Sequence, residues 1–212
     1  MNNILPNLKF QKKVCIVCEG YEETEYFGRL KSLEVFNNIY DIKLINAKSI
    51  SSIFAYYQDA FSNKSYDIIL AFCDTDKSPS KDYNLLKKKV NKHHASNQAA
   101  NNVVIFGNPC TMQIYLSHFS NSISLHSHSK QVNAPLIYKL TGVEHYNARH
   151  FQRDQLFGLI TKANYWEMKN NISLLSTNDK HKPSTNLYKY LIFLESNNLD
   201  WINNINHIIN ND

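Results

Sequence analysis

The chain has 212 residues, 43% of them hydrophobic, with 5 Gly, 5 Pro and a formal net charge of +5. That length suits one ordinary domain with a sizeable core, and so little glycine and proline excludes a disordered or turn-rich all-β chain. The mild positive charge favours anionic partners such as nucleic acid, and no apolar run approaches the roughly 20 residues of a membrane helix.

Met1 to Phe10 lacks the apolar stretch of a signal peptide. Lys13 to Cys18 is then a short apolar run ended by Glu19-Gly20, as expected of a strand buried on both faces. From Thr24 to about Phe36, apolar residues recur at Tyr26, Phe27, Leu30, Leu33 and Phe36, a helical period. Asp41 to Asn46 reads as a second strand, and Ser49 to Phe61 as an amphipathic helix capped by Ser49 or Ser51. Tyr66 to Cys73 is the clearest strand of the chain. Asp82 to about Lys92 reads as a helix, and Asn102 to Phe106 as a fourth strand. Strands alternating with helices predict an α/β fold, a parallel sheet of about four strands with right-handed crossovers.

After Asn108-Pro109 the pattern changes. Cys110 to Phe119 reads as a helix, 120–133 as a Ser/His/Asn-rich loop, and 135–141, 149–163, 165–175, 184–196 and 199–209 as further helices. The expected division is an α/β core over 1–119 and a mainly helical region over 120–212 packed on it. Cys15 and Cys18 have CxxC spacing, but they belong to one buried strand and no second pair follows. The four cysteines are therefore read as reduced thiols of a cytoplasmic protein.

Chemistry gathers where strands end in open α/β sheets. The first strand runs into Glu19-Gly20, and the third into Asp74-Thr75-Asp76, about 55 residues on, which fits two βα units of about 30 residues each. If both strands are parallel neighbours, Glu19, Asp74 and Asp76 share one edge. Three converging carboxylates repel one another unless a cation neutralises them, and oxygen donors favour Mg²⁺ or Mn²⁺. Gly20 would let the backbone turn tightly after Glu19. Either Asp74-Thr75-Asp76 or Glu19 alone would pass for a solvated turn. Their joint placement favours a metal site.

Four blocks carry a resemblance. They are Val17-Cys18-Glu19-Gly20 leading to Thr24-Glu25-Tyr26-Phe27; Phe72-Cys73-Asp74-Thr75-Asp76; Gly107-Asn108-Pro109-Cys110 leading to Leu116-Ser117-His118-Phe119; and Lys182-Pro183-Ser184-Thr185-Asn186. In that order they resemble the motifs of the RloB-like family. The resemblance implies a Toprim core, related to nucleases of the overcoming-lysogenization-defect type. It also implies a metal-dependent nuclease of bacterial antiviral defence, linked to an ATPase. By the same resemblance Glu19 would be a general acid/base or metal ligand, and Asp74 and Asp76 would be ligands. Asn108 and His118 fall in the third block as site-supporting residues. The chain departs from the family at Thr111-Met112, where an aromatic and a Glu are common, and at Ser78, where topoisomerase-like sites place a third Asp. Glu22, Glu23 and Asp82 are the acids nearest in sequence to serve as extra ligands.

Other residues are read more plainly. Arg149 and Arg153, one helical turn apart, are placed to grip a phosphate, as are Lys182 and the helix start at Ser184. His93-His94 follow a Lys-rich helix and are read as solvent-facing. His126 and His128 lie in a polar loop. Most of the 13 Tyr and 11 Phe must serve the core, while some are available to stack on bases. Two readings follow: a Mg²⁺- or Mn²⁺-dependent nuclease acting on DNA or RNA, transfer RNA included, or a catalytically silent Toprim-like subunit controlled by a partner ATPase. No phosphate-binding glycine loop is present for ATP hydrolysis by the chain itself. A homo-oligomer is compatible with both.

Overall fold

The computed structural model describes residues 11–75 and 80–210; Asp76 and Ser78 lie outside the described residues. Strand β1 (Lys12–Cys18) is buried from Val14 onward, because it is the central strand between β2 (Tyr40–Asn46) and β3 (Ile68–Asp74). Ile16 sits in register with Leu44 on one side and Leu70 on the other. Beyond β3 come β4 (Val104–Asn108) and the two-residue β5 (Ser184–Thr185), giving the order β2-β1-β3-β4-β5. The first four strands are parallel and β5 is antiparallel. Helices α1 (Tyr21–Ser32), α2 (Ile50–Ser62), α3 (Lys81–His93) and α4 (Ala99–Val103) fill the crossovers.

Among the described residues the sheet therefore has five strands. Ser184 and Thr185, expected to open a helix, instead extend the sheet. The Thr185 hydroxyl donates to the Phe106 carbonyl at 2.6 Å. The Asn186 amide accepts from the Phe106 N–H at 3.0 Å and donates to the Val104 carbonyl at 2.9 Å, replacing backbone pairing along the β4 edge. The following helix, α9 (Leu187–Glu195), starts only after these side chains are committed.

Other boundaries moved for equally local reasons. Asn102 and Val103 close α4 rather than open β4. The helix after Cys110 shrinks to α5 (Met112–Leu116). Pro135, expected at a helix start, lies inside α6 (Lys130–Thr141), whose cap is the Ser129 hydroxyl accepting from the Val132 N–H. The helix expected over 149–163 ends early as α7 (His150–Gly158), and the one expected over 165–175 starts early as α8 (Lys162–Ser173), because Thr161 and Asn164 cap α8 reciprocally. Helix α10 (Asp200–Asn210) ends the described chain.

One hydrophobic core runs from the sheet into the helical half. Tyr26, Tyr57, Tyr115, Tyr146, Tyr165 and Tyr190 are all fully buried in it, and Tyr190 satisfies its hydroxyl on the Asn102 carbonyl at 2.9 Å. The four cysteines are free and buried. Among the described residues, no helix is long and apolar enough to cross a membrane.

Candidate functional site

The strand order reverses direction between β1 and β3: from β1 the chain moves outward to β2, then returns across to β3. Such a switch point opens a crevice at the carboxyl ends of the two strands. Glu19 and Asp74 stand on its two lips. The Glu19 N–H continues the ladder to the Phe72 carbonyl at 2.9 Å, and the Glu19 Oε2 accepts the Asp74 N–H at 3.0 Å. The Asp74 Oδ1 in turn accepts the Thr111 N–H at 2.6 Å.

A third carboxylate joins them. Glu23, in the first turn of α1, is 5% exposed. Its Oε2 accepts the Gly20 N–H at 3.0 Å and its Oε1 accepts the Thr111 hydroxyl at 2.9 Å, with the Tyr115 hydroxyl at 3.5 Å. Thr111 thus holds both Asp74 and Glu23. The sequence signal for Glu23 was only its nearness to Glu19; its burial decides its role. Asp82, by contrast, is exposed at the start of α3.

The electrostatics match that arrangement. Burial, then the charges of Glu23 and Glu19, raises the Asp74 pKa well above the ordinary carboxylate value. Burial, then the charge of Glu22, pushes Glu23 up to about 7. These are carboxylates whose negative charge the fold leaves undercompensated.

The scaffold beneath is tight. Gly107 pairs with Asp74 across β3 and β4, and a Cβ there would lie 2.7 Å from the Thr111 Cα and N. Asn108 accepts from the Thr75 hydroxyl at 2.9 Å and donates to the Asp179 and His181 carbonyls at 2.8 and 2.5 Å, tying the 177–183 loop to this edge. Gly20 is extended (φ −149°), and a Cβ would meet the Glu23 Oε2 at an ordinary 3.4 Å. Its contribution is its N–H rather than glycine's conformational freedom.

The helical half covers the crevice. Glu22 pairs with Lys130 of α6 and accepts the Tyr146 hydroxyl at 2.8 Å. Glu22, Asp74, Thr111, His128 and Lys130 line a small cavity of about 20 Å³.

The remaining candidates have different surroundings from those expected. Arg153 is buried and bidentate to Glu25, at 2.7 and 2.8 Å, and also bonds the Ala148 carbonyl. That commitment holds α7 to α1 instead of leaving a free phosphate grip. Arg149 is exposed at the start of α7. Lys182 is exposed, whereas Ser184 is wholly buried and donates to the His181 carbonyl at 2.7 Å. His118 is buried, with Nε2 3.1 Å from the Tyr26 hydroxyl, and burial holds its pKa down near about 3. A path from it to the carboxylates runs through Tyr26, which packs on Tyr115 with ring centroids 4.7 Å apart. His94 does not face solvent: it is buried and 2.9 Å from the Tyr57 hydroxyl. Its neighbour His93 packs edge-on against Phe61.

For a divalent cation, the donor chemistry fits: carboxylate oxygens with raised proton affinity in a crevice. Among the described residues, no three His, Cys, Asp or Glu side chains already stand in a metal-holding arrangement. Asp74 and Glu23 are instead turned onto amide and hydroxyl donors.

Fold and edge together define an α/β protein with carboxylates at its topological switch point. The chain belongs to the family described as RloB-like protein, whose profile matches residues 14–194. No curated protein and no solved structure matches it significantly.

Proposed function

We propose that this protein is a Mg²⁺- or Mn²⁺-dependent phosphodiesterase that cuts nucleic acid, DNA or RNA including transfer RNA, in antiviral defence. The observation that carries this reading is the Glu19–Asp74 clasp at the switch point, with Glu23 buried beside it. Glu19 and Asp74 would hold the cation together with Asp76 and with Glu23 as an added oxygen donor. Such an ion, when bound, would polarise the phosphate and acidify water. A Glu19 carboxylate oxygen, released from the Asp74 amide, would take the proton of the attacking water as its oxygen bonds to phosphorus and the P–O bond to the leaving strand breaks. Asp74 remains oriented by the Thr111 N–H, and Glu23 by the Gly20 N–H and the Thr111 hydroxyl. Lys182 and Arg149, both exposed, offer cationic contacts to the strand. The Toprim relationship, the cytoplasmic setting and the ATPase partner belong to the same proposal.

The test is cleavage of DNA, transfer RNA and other RNAs with each metal, by the wild-type protein and by Glu19→Gln. Metal-dependent cleavage lost in the variant supports the assignment; cleavage that survives it removes Glu19 from the chemistry. A second reading, a regulatory subunit that is silent alone, is favoured by the carboxylates being bonded internally. It predicts cleavage only when the ATPase is co-purified.

A further inference from the structure

Tyr21 is the first residue of α1, two residues beyond Glu19 and adjacent to Glu22. Its Cα is therefore within about 7.6 Å of the Glu19 Cα, two peptide steps away. Yet the residue is 57% exposed, while the six largest fully buried side chains among the described residues are all tyrosines. The ring is also backed by a cation, with the Arg153 guanidinium carbon 5.1 Å from its centroid. That guanidinium is fixed by its bidentate bonds to Glu25 and by the Ala148 carbonyl. Arg153 is thus spent as a phosphate ligand but serves as a rigid backing. An exposed aromatic ring backed by a partly buried ion pair, at the strand end that carries Glu19, has the form of a base-stacking platform.

We infer that Tyr21, backed by Arg153 and Glu25, stacks an unpaired base next to the scissile phosphate, so that the substrate is single-stranded or looped nucleic acid. This rests on the phosphodiesterase reading and narrows it. A duplex keeps its bases stacked on each other, so the ring discriminates against duplex unless a base is extruded. Any base offers a π face, so the contact selects strandedness more than sequence.

The experiment is binding in the presence of EDTA, independent of cleavage. Fluorescence anisotropy would compare a single-stranded oligonucleotide, the same strand with one abasic position scanned along it, and the corresponding duplex. The proteins are wild type, Tyr21→Ala, Tyr21→Phe and Tyr56→Ala, the last removing an exposed tyrosine from α2. The expected result is an about 5- to 150-fold weaker single-strand Kd for Tyr21→Ala, the scale of one lost base stack. Tyr21→Phe and Tyr56→Ala should bind as wild type does. One abasic position should weaken wild type to the level of Tyr21→Ala and leave Tyr21→Ala unaffected, and duplex binding should be the same for all four proteins. Unchanged single-strand affinity in Tyr21→Ala, equal losses on strand and duplex, or no binding by wild type would overturn the inference. The platform fails alone if Tyr21→Ala binds normally while metal-dependent cleavage persists. The phosphodiesterase reading fails alone if stacking-dependent binding holds and neither metal supports cleavage.

Discussion

The carboxylate of Glu19 accepts the backbone N–H of Asp74 at 3.0 Å, joining the ends of two parallel strands that are 55 residues apart in the chain. One side chain therefore does two things. It satisfies a backbone donor past the end of the β1–β3 ladder, and it ties the two lips of the crevice together.

Separating those roles gives the first prediction. In Glu19→Gln the amide oxygen still accepts the Asp74 N–H, so stability should stay within about 1 kcal/mol of wild type, while cleavage falls about 100-fold or more. Glu19→Ala leaves that N–H unpaired and should cost about 1–3 kcal/mol as well. Urea unfolding beside the cleavage assay measures both.

Gly107 supplies a second test. Its missing Cβ is what lets Thr111 approach, since a methyl would sit 2.7 Å from the Thr111 backbone. Gly107→Ala should destabilise by about 1–3 kcal/mol and displace the Thr111 amide from Asp74, which now lies 2.6 Å away. Thermal unfolding should show a lower midpoint, and Mn²⁺ affinity should fall with it.

The parallel α/β sheet and the pairing of Glu19 with Asp74 were legible in the sequence, because both follow from apolar runs that end at acids. Glu23 was not. Its chemistry depends on burial by Thr111 and Tyr115, some ninety residues away, and a single sequence carries no such distance. Strand β5 was hidden because Ser184, Thr185 and Asn186 are equally good helix caps, and only the unpaired edge of β4 decides between the two uses. Arg153 read as a phosphate grip until Glu25 proved to face it.

A third prediction concerns pH. The folded-state pKa of Glu23 is raised to about 7 from 4.5. The folded state therefore holds this proton more tightly than the unfolded chain does, and stability from this group is full at low pH and lost as pH rises from about 4.5 through about 7. Glu23→Gln keeps an acceptor for the Gly20 N–H and removes the charge. It should unfold at higher denaturant than wild type at pH 8, with the difference vanishing near pH 4. A variant equally stable at pH 8 would contradict the assignment.

The histidines act in the opposite direction. His94 and His118 are neutral when buried, with pKa values lowered to about 4 and about 3 from 6.5, chiefly by burial. The unfolded chain takes up these protons first, so stability is complete above about pH 6.5 and declines as pH falls toward 4. Each unit over which the folded state withholds a proton costs about 1.4 kcal/mol per group. His94→Gln should flatten the acid limb of a stability–pH profile between pH 6.5 and 4, and an unchanged limb would contradict this account.

The central claim is that the carboxylates at this sheet edge share a divalent cation, and isothermal titration of Mn²⁺ into wild-type and Asp74→Asn protein tests it most directly. The Asn side chain can still accept the Thr111 N–H, so the fold should persist in the variant. The account predicts saturable Mn²⁺ binding by wild type and at least tenfold weaker binding by Asp74→Asn. Equal affinities, or no binding by wild type at millimolar Mn²⁺, would contradict it.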